Sequence, residues 1–197
     1  MTALLECYMQ EIKLKKTALI LSGAVLNRYS RVKDYPNTLK YSYITMNSVE
    51  DNRIYPEFFE TQQATREVDE KYLLKNGDVV MKLAPPYSAV LIAFNCENLL
   101  APSNFAIIRS MGKLDPGYLS FILNAPHVRN QLRKLVEGST LAVIKINHLN
   151  EVKLKIRDKN EQILYAKLLS LLKMRRELKM RVIELEDKIT DSFLREL

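Results

Sequence analysis

Glycine is scarce in this sequence. Only Gly23, Gly77, Gly112, Gly117 and Gly138 occur in 197 residues, and no two of them form Gly-x-Gly. Glycine-rich turns let backbone amides approach a nucleotide-like ligand, so no such cradle for a cofactor is expected. Cysteine is scarcer still. Cys7 and Cys96 stand far apart without a Cys-x-x-Cys pair, which gives no metal site and fits a reducing cytoplasm. His127 and His148 lie in separate segments and read as surface or half-buried residues rather than ligands. The start, "MTALLECYMQ", has no basic leader, and no apolar run has the length of a membrane span. Neither an export signal, a membrane partner, a metal nor a cofactor is expected.

What is present points elsewhere. Hydrophobic residues make up 47% of the chain, enough for a core. The net charge is +7 and the pI about 9.3. A basic balance suits an anionic partner such as nucleic acid, although many proteins reach it without one. All five glycines and all seven prolines precede Ser139. A shift of that kind marks a change of architecture.

The earlier part reads as mixed α and β. "LLKNGDVVMKL" turns at Asn76-Gly77-Asp78 into a β-branched run, a strand signal. "SAVLIAF" reads as a second buried strand and "NFAIIRS" as a third. "LDPGYLSFILNAP" places Asp115 as N-cap and Pro116 in the first turn of a helix. Asn124-Ala125-Pro126 restarts a helix carrying Val128, Leu132 and Leu135, and Gly138 stops it. "EVKLKI" alternates at Val152, Leu154 and Ile156, the pattern of a half-buried strand.

Asp158 and Glu161 resemble a capping box, and the chain beyond reads as helix nearly to its end. Leu164, Leu168, Leu171, Arg175, Leu178, Val182, Leu185 and Ile189 alternate four and three apart, the seam of a coiled coil. Leu169 and Leu172 widen the stripe. At ~1.5 Å per residue the rod is roughly 57 Å long, about twice the span of a small domain. A protruding helix that meets another helix is therefore expected, not one folded back on its own domain.

"MKLAPPYSAV" poses a separate question. Pro85-Pro86-Tyr87 resembles the end of the catalytic tetrapeptide of enzymes that methylate an exocyclic amine on DNA. In that motif the first residue accepts a hydrogen bond from the amine, and the aromatic stacks on the flipped base. Ala84 stands first here, and a methyl group accepts nothing. A rigid extended turn is the expected role.

The stretch "LDPGYLSFILNAPHVRNQLRKLVEGSTLAVIKINHLNEVKLKIRDKNEQ" resembles the specificity subunits of type I restriction–modification systems. The resemblance rests on Asp115-Pro116, Arg129, Gly138-Ser139-Thr140, Leu149, Glu161-Gln162 and the long helix from Lys159. "LKKTALILSG", "LLKNGDVVMKL" and "APSNFAIIRS" add earlier pieces in the same order. "RDKNEQ" stands where the family has a proline-rich turn, and "NGD" where it has Pro-Gly-Asp. The usual subunit has two recognition domains and two conserved helices; this chain has one of each.

The resemblance implies an α+β fold: a mixed α/β target-recognition domain over 1–157, then a long helix over 158–197 forming an antiparallel coiled coil. It implies a non-catalytic, cytoplasmic, sequence-specific DNA-binding subunit. Partners would be double-stranded DNA, modification (methyltransferase) subunits, a restriction nuclease subunit where the system has one, and a second copy of the chain. The dimer interface would comprise Leu164, Leu168, Leu171, Leu178, Val182, Leu185 and Ile189. Methyl transfer would belong to the modification subunit.

Loops on a rigid scaffold carry recognition, and arginine forks can grip guanine. Three loops are candidates. The first is "LNRYSRVK" with Arg28, Tyr29, Ser30, Arg31 and Lys33. The second is Lys82 with Tyr87 and Ser88, and the third Lys145 with Asn147. Arg129, Arg133 and Lys134 form a basic helical face of lower rank. Two other readings stay open. Pro56-Glu57 ahead of Asp69-Glu70-Lys71 loosely resembles a metal-dependent nuclease. A coiled-coil scaffold or regulator without sequence reading is the other.

Overall fold

The computed structural model describes residues 10–29, 39–50, 52–138 and 142–196. Ser30, Arg31 and Lys33, and the Ser139-Thr140 turn, lie outside the described residues. In chain order the strands are β1 (Gln10–Lys13), β2 (Ala18–Ser22), β3 (Leu39–Tyr43), β4 (Val49–Glu50), β5 (Arg53–Ile54), β6 (Glu60–Ala64), β7 (Val79–Lys82), β8 (Ala89–Leu91), β9 (Leu99–Leu100), β10 (Phe105–Ser110) and β11 (Lys153–Ile156). The helices are α1 (Pro116–Leu123), α2 (Pro126–Lys134), α3 (Ile146–Glu151) and α4 (Lys159–Glu196). The chain is α+β with a long C-terminal helix.

The central sheet runs β2-β10-β7-β8, all antiparallel. Its middle strands are apolar at successive positions because both faces are covered. Val79, Met81, Ala106 and Ile108 join a core with Leu119 and Leu123 of α1 and Val128 and Leu132 of α2. Val80, Phe105 and Ile107 face a second core with Ile44, Leu74 and Ile92. The three strand signals thus land on β7, β8 and β10.

The Asn76-Gly77-Asp78 turn is held by charge as well as geometry. Gly77 has φ +93°, where a side chain would be strained. Asp78 is buried and accepts from the Lys75 amide at 2.9 Å. Arg109 of β10 forks onto the same carboxylate at 2.9 and 3.1 Å and donates to the Leu73 carbonyl at 2.7 Å. Gly23 answers a different need: a Cβ there would lie 2.1 Å from the Pro102 carbonyl oxygen and 2.4 Å from that of Ala101. The Ser22-Gly23 end of β2 and the Ala101-Pro102 segment are therefore two sides of one backbone contact.

Asp115 caps α1, its carboxylate accepting from the Tyr118 amide at 2.9 Å. Asn124 then serves the outer edge of β8. Its Oδ1 accepts from the Ala89 amide at 3.1 Å and its Nδ2 donates to the Ala89 carbonyl at 2.7 Å. β11 continues the expected alternation, Leu154 and Ile156 being buried like Val152 just before it, and it pairs antiparallel with β1.

Two local expectations are corrected. Residues 84–87 form a tight turn between β7 and β8, the Tyr87 amide donating to the Ala84 carbonyl at 3.0 Å, rather than an extended one. Residues 146–151 form α3 rather than a loop.

Candidate nucleic-acid interface

β3 and β6 form an antiparallel ribbon, with β9 parallel to β3 only at Ser42 and Tyr43. One face of the ribbon closes a small apolar cluster of Tyr41, Ala64, Val68 and Leu100, against which Leu26 and Tyr29 pack. The opposite face is polar. The register sets Lys40 beside Gln63 and Ser42 beside Thr61, and Lys40, Thr61 and Gln63 are exposed.

At the free end of this ribbon the first candidate loop begins. Residues Leu26–Arg28 make a single 3-10 turn, and Arg28 is exposed. Arg66, also exposed, lies with its guanidinium 5.0 Å from the centre of the Tyr29 ring and donates to the Arg28 carbonyl at 3.2 Å. The Thr65 amide donates to the Tyr29 carbonyl at 3.2 Å, and Leu39 pairs with Ala64. The two residues flanking 30–38 thus sit side by side. Arg28, Lys40, Gln63 and Arg66 bring fork-shaped cations, an amide and an ammonium to one end of the ribbon. Those groups suit guanine, adenine and phosphate respectively.

Of this group, Arg28 and Tyr29 stand among the sequence candidates, whereas Lys40, Gln63 and Arg66 do not. The only signal available was a polar alternation in "LKYSY" and "ETQQA", strands about twenty residues apart whose pairing no local pattern reveals.

The second candidate group lies in the interior. Lys82 is 7% exposed, Tyr87 2% and Ser88 0%. Tyr87 fills the first core with its ring and donates its hydroxyl to the Ala142 carbonyl at 2.9 Å. These three build the hairpin joining β7 to β8, and none offers a side chain to a duplex. Lys145 and Asn147 are exposed, but Lys145 is the N-cap of α3 and Asn147 lies in its first turn. α3 packs through Leu149 and Ile146 on the first core, whereas Tyr29 packs on the third cluster. Of the lower-ranked helical face, Arg129 is engaged, its guanidinium donating to Asn124 Oδ1 at 2.8 Å; Arg133 and Lys134 are exposed.

Two acidic residues of the nuclease reading, Asp69 and Glu70, are tied to lysines. Asp69 caps its own turn and pairs with Lys71 at 2.6 Å, which holds its carboxyl below the ordinary range. Glu70 pairs with Lys75 at 2.6 Å. Among the described residues no three His, Cys, Asp or Glu side chains are grouped to hold a metal ion. Nor is any helix long and apolar enough to cross a membrane.

The long helix has two distinct faces. Asp158 starts it, its carboxylate accepting from the amides of Asn160 and Glu161 at 3.0 and 3.1 Å. Gln162 is 2% exposed. Its Oε1 accepts from the Asp115 amide at 2.8 Å, and its Nε2 donates to the carbonyls of Arg157 at 2.8 Å and Lys113 at 3.2 Å. Glu161 pairs with Arg157, whose guanidinium stands 4.6 Å from the Tyr165 ring centre. The Asp-Pro and Glu-Gln motifs are thus one junction. Tyr165, Ala166, Leu169, Lys173 and Glu177 continue this domain-facing row, and every residue of 178–195 is exposed.

The four-three seam lies on the other side. At about 100° per residue it runs roughly half a turn from the Gln162–Glu177 row. Leu164, Leu168, Leu171, Leu178, Val182, Leu185 and Ile189 are all exposed. The helix therefore both lies along its own domain in its first half and presents an uncovered apolar stripe along its whole length. Arg175 does not meet Glu177, whose carboxylate is taken by Arg53.

No protein-family model and no curated protein matches the sequence. Solved structures do match. The HsdS subunit from Thermoanaerobacter tengcongensis superposes with TM-score 0.64 at 14% identity, over 87% of this chain and 44% of its own. A chain from a structure on complex assembly and conformational transition of the type I R-M system gives 0.61 at 15% identity, over 92% and 45%. The type I restriction–modification S subunit from M. genitalium gives 0.59 at 15% identity, over 93% and 44%. The chain has the fold of type I restriction–modification specificity subunits. It spans less than half the length of each of these chains.

Proposed function

We propose that the chain is a sequence-specific DNA-binding specificity subunit of a type I restriction–modification system, in a half-length form. Residues 1–157 serve as the target-recognition domain and 158–197 as the helix that spaces and dimerises. It directs modification subunits, and where present a restriction nuclease, to a bipartite target, and catalyses nothing itself. The outward seam of α4 carries this reading, because it is self-complementary. Its spacing reads the same in both directions, so an antiparallel pair aligns Leu164 of one copy with Ile189 of the other, Leu168 with Leu185 and Leu171 with Val182. Arg175 then meets Leu178 rather than its own mate, and its aliphatic stem can lie over that leucine with the charge in water.

The energetics are favourable. Each helix brings seven apolar seam residues, and full burial of one is worth about 1.5–3 kcal/mol. That gross gain exceeds the roughly 4–15 kcal/mol lost in association. Two-fold symmetry makes the contact isologous.

The ribbon end with Arg28, Tyr29, Lys40, Gln63 and Arg66, together with Ser30, Arg31 and Lys33, is the reading surface. Binding of the complex with its modification subunit to host DNA should weaken steeply with salt as counterions are released. Arg28→Ala should cost about 1–3 kcal/mol and blur one position of the target. Lys40→Ala should weaken all sequences alike. If Arg28→Ala and Arg66→Ala together leave affinity and specificity unchanged, the reading surface lies elsewhere.

A further inference from the structure

α4 is attached to the domain at two separated places. The first is the Gln162 junction. The second is the β4–β5 hairpin, whose turn residue Asn52 has φ 62°, a conformation asparagine tolerates better than most residues. The Asn52 carbonyl accepts from the Lys173 ammonium, and Arg53 forms an ion pair with Glu177. Arg53 also donates to the Tyr55 hydroxyl at 3.2 Å. The hairpin itself is rooted in the second core, where Val49 is buried and Ile54 packs. From Gln162 to Glu177 the helix rises about 22 Å.

We propose that this hairpin is a brace that fixes the angle between α4 and the recognition domain, and so sets the spacer length accepted between the two half-sites. The inference rests on the dimeric recognition reading above. A rod held at one end swings; held at two points about 22 Å apart it does not. The lever is long. A tilt of about 5° at the root of a ~57 Å rod moves its far end by about 5 Å. One base-pair step is only about 3.4 Å. Without the brace, tilt of that size blurs the distinction between neighbouring spacers. Surface ion pairs are individually weak, but the brace acts through geometry and needs only to limit tilt.

The test has two arms. In the first, spin labels at Lys134→Cys and Ser192→Cys, on a background with both native cysteines replaced by serine, report the domain-to-tip distance; excess unlabelled chain suppresses signals between copies. Wild-type chain should give one narrow distribution. Arg53→Ala with Lys173→Ala should broaden it, and the swap Arg53→Glu with Glu177→Arg should restore much of the narrowness. In the second arm, host genomic DNA is sequenced for methylated adenines in cells carrying this chain and its modification subunit. The brace variant should keep the half-site sequences while accepting spacers about one base pair longer and shorter. An unbroadened distribution in the variant overturns the brace. So does a broadened one with a single unchanged spacer. Wild-type cells without any bipartite methylation would defeat the recognition reading instead, and the distance arm alone would then decide whether the brace holds the rod.

Discussion

Gln162 shows how one side chain can join two motifs. It satisfies the Asp115 amide, which the α1 turn leaves without a helical partner, and two carbonyls at the root of α4. Gln162→Leu keeps the volume but strands those groups, each worth about 1–3 kcal/mol when buried and unsatisfied. Urea unfolding should show a loss of more than about 2 kcal/mol; a loss under half of that would mean water replaces the amide. Glu151 gives a pH test. Hydrogen bonds and charge from Lys13 and Lys15 hold its carboxyl down at about 2, against an ordinary 4.5. A depressed carboxyl stabilises the fold above its unfolded value, and that contribution fades as pH falls toward 2. The melting-temperature difference between wild type and Glu151→Gln should therefore be constant above pH 5 and vanish near pH 2. A difference that persists there would point to a packing role instead.

Among the elements, legibility followed burial. β7, β8 and β10 were readable because two covered faces force continuous apolar runs. α1 and α4 announced themselves through Asp115 and Asp158, whose carboxylates make the bonds their positions suggest. α3 was missed: it is short, and its N-cap Lys145 supplies no side-chain acceptor. The β4–β5 hairpin was missed because two-residue strands carry no period. Lys82, Tyr87 and Ser88 misled for a related reason. Polar and aromatic residues beside prolines look like a loop, yet Tyr87 is large enough to fill core space while its hydroxyl finds the Ala142 carbonyl. The expectation for α4 was half complete. Its seam is exposed along its length, but the opposite face lies on the domain as far as Glu177. Leu171→Asp with Leu178→Asp alters only the exposed face, so it should leave the fold intact and split the dimer. Light scattering should find wild type at twice the chain mass at micromolar concentration and the double variant at one. A wild-type monomer at high micromolar concentration would remove the coiled-coil dimer.

At the scale of the whole molecule, the proposed dimer would join three features: a polar ribbon end to read bases, a rod with a reversible seam, and a brace between them. The fold class was legible because motif order survives where individual motifs drift, as "NGD" and "RDKNEQ" do. The proposed reading surface was only partly legible, since it assembles residues from Arg28 to Arg66 through strand pairing. A symmetric pair of such chains reads the same half-site twice, in opposite directions. Single-molecule sequencing of host DNA for methylated adenines, with and without this gene, tests that consequence directly. The account predicts a motif that depends on the gene and consists of two inverted copies of one half-site around a fixed spacer. Gene-dependent methylation at an asymmetric motif, or none at all, would contradict it.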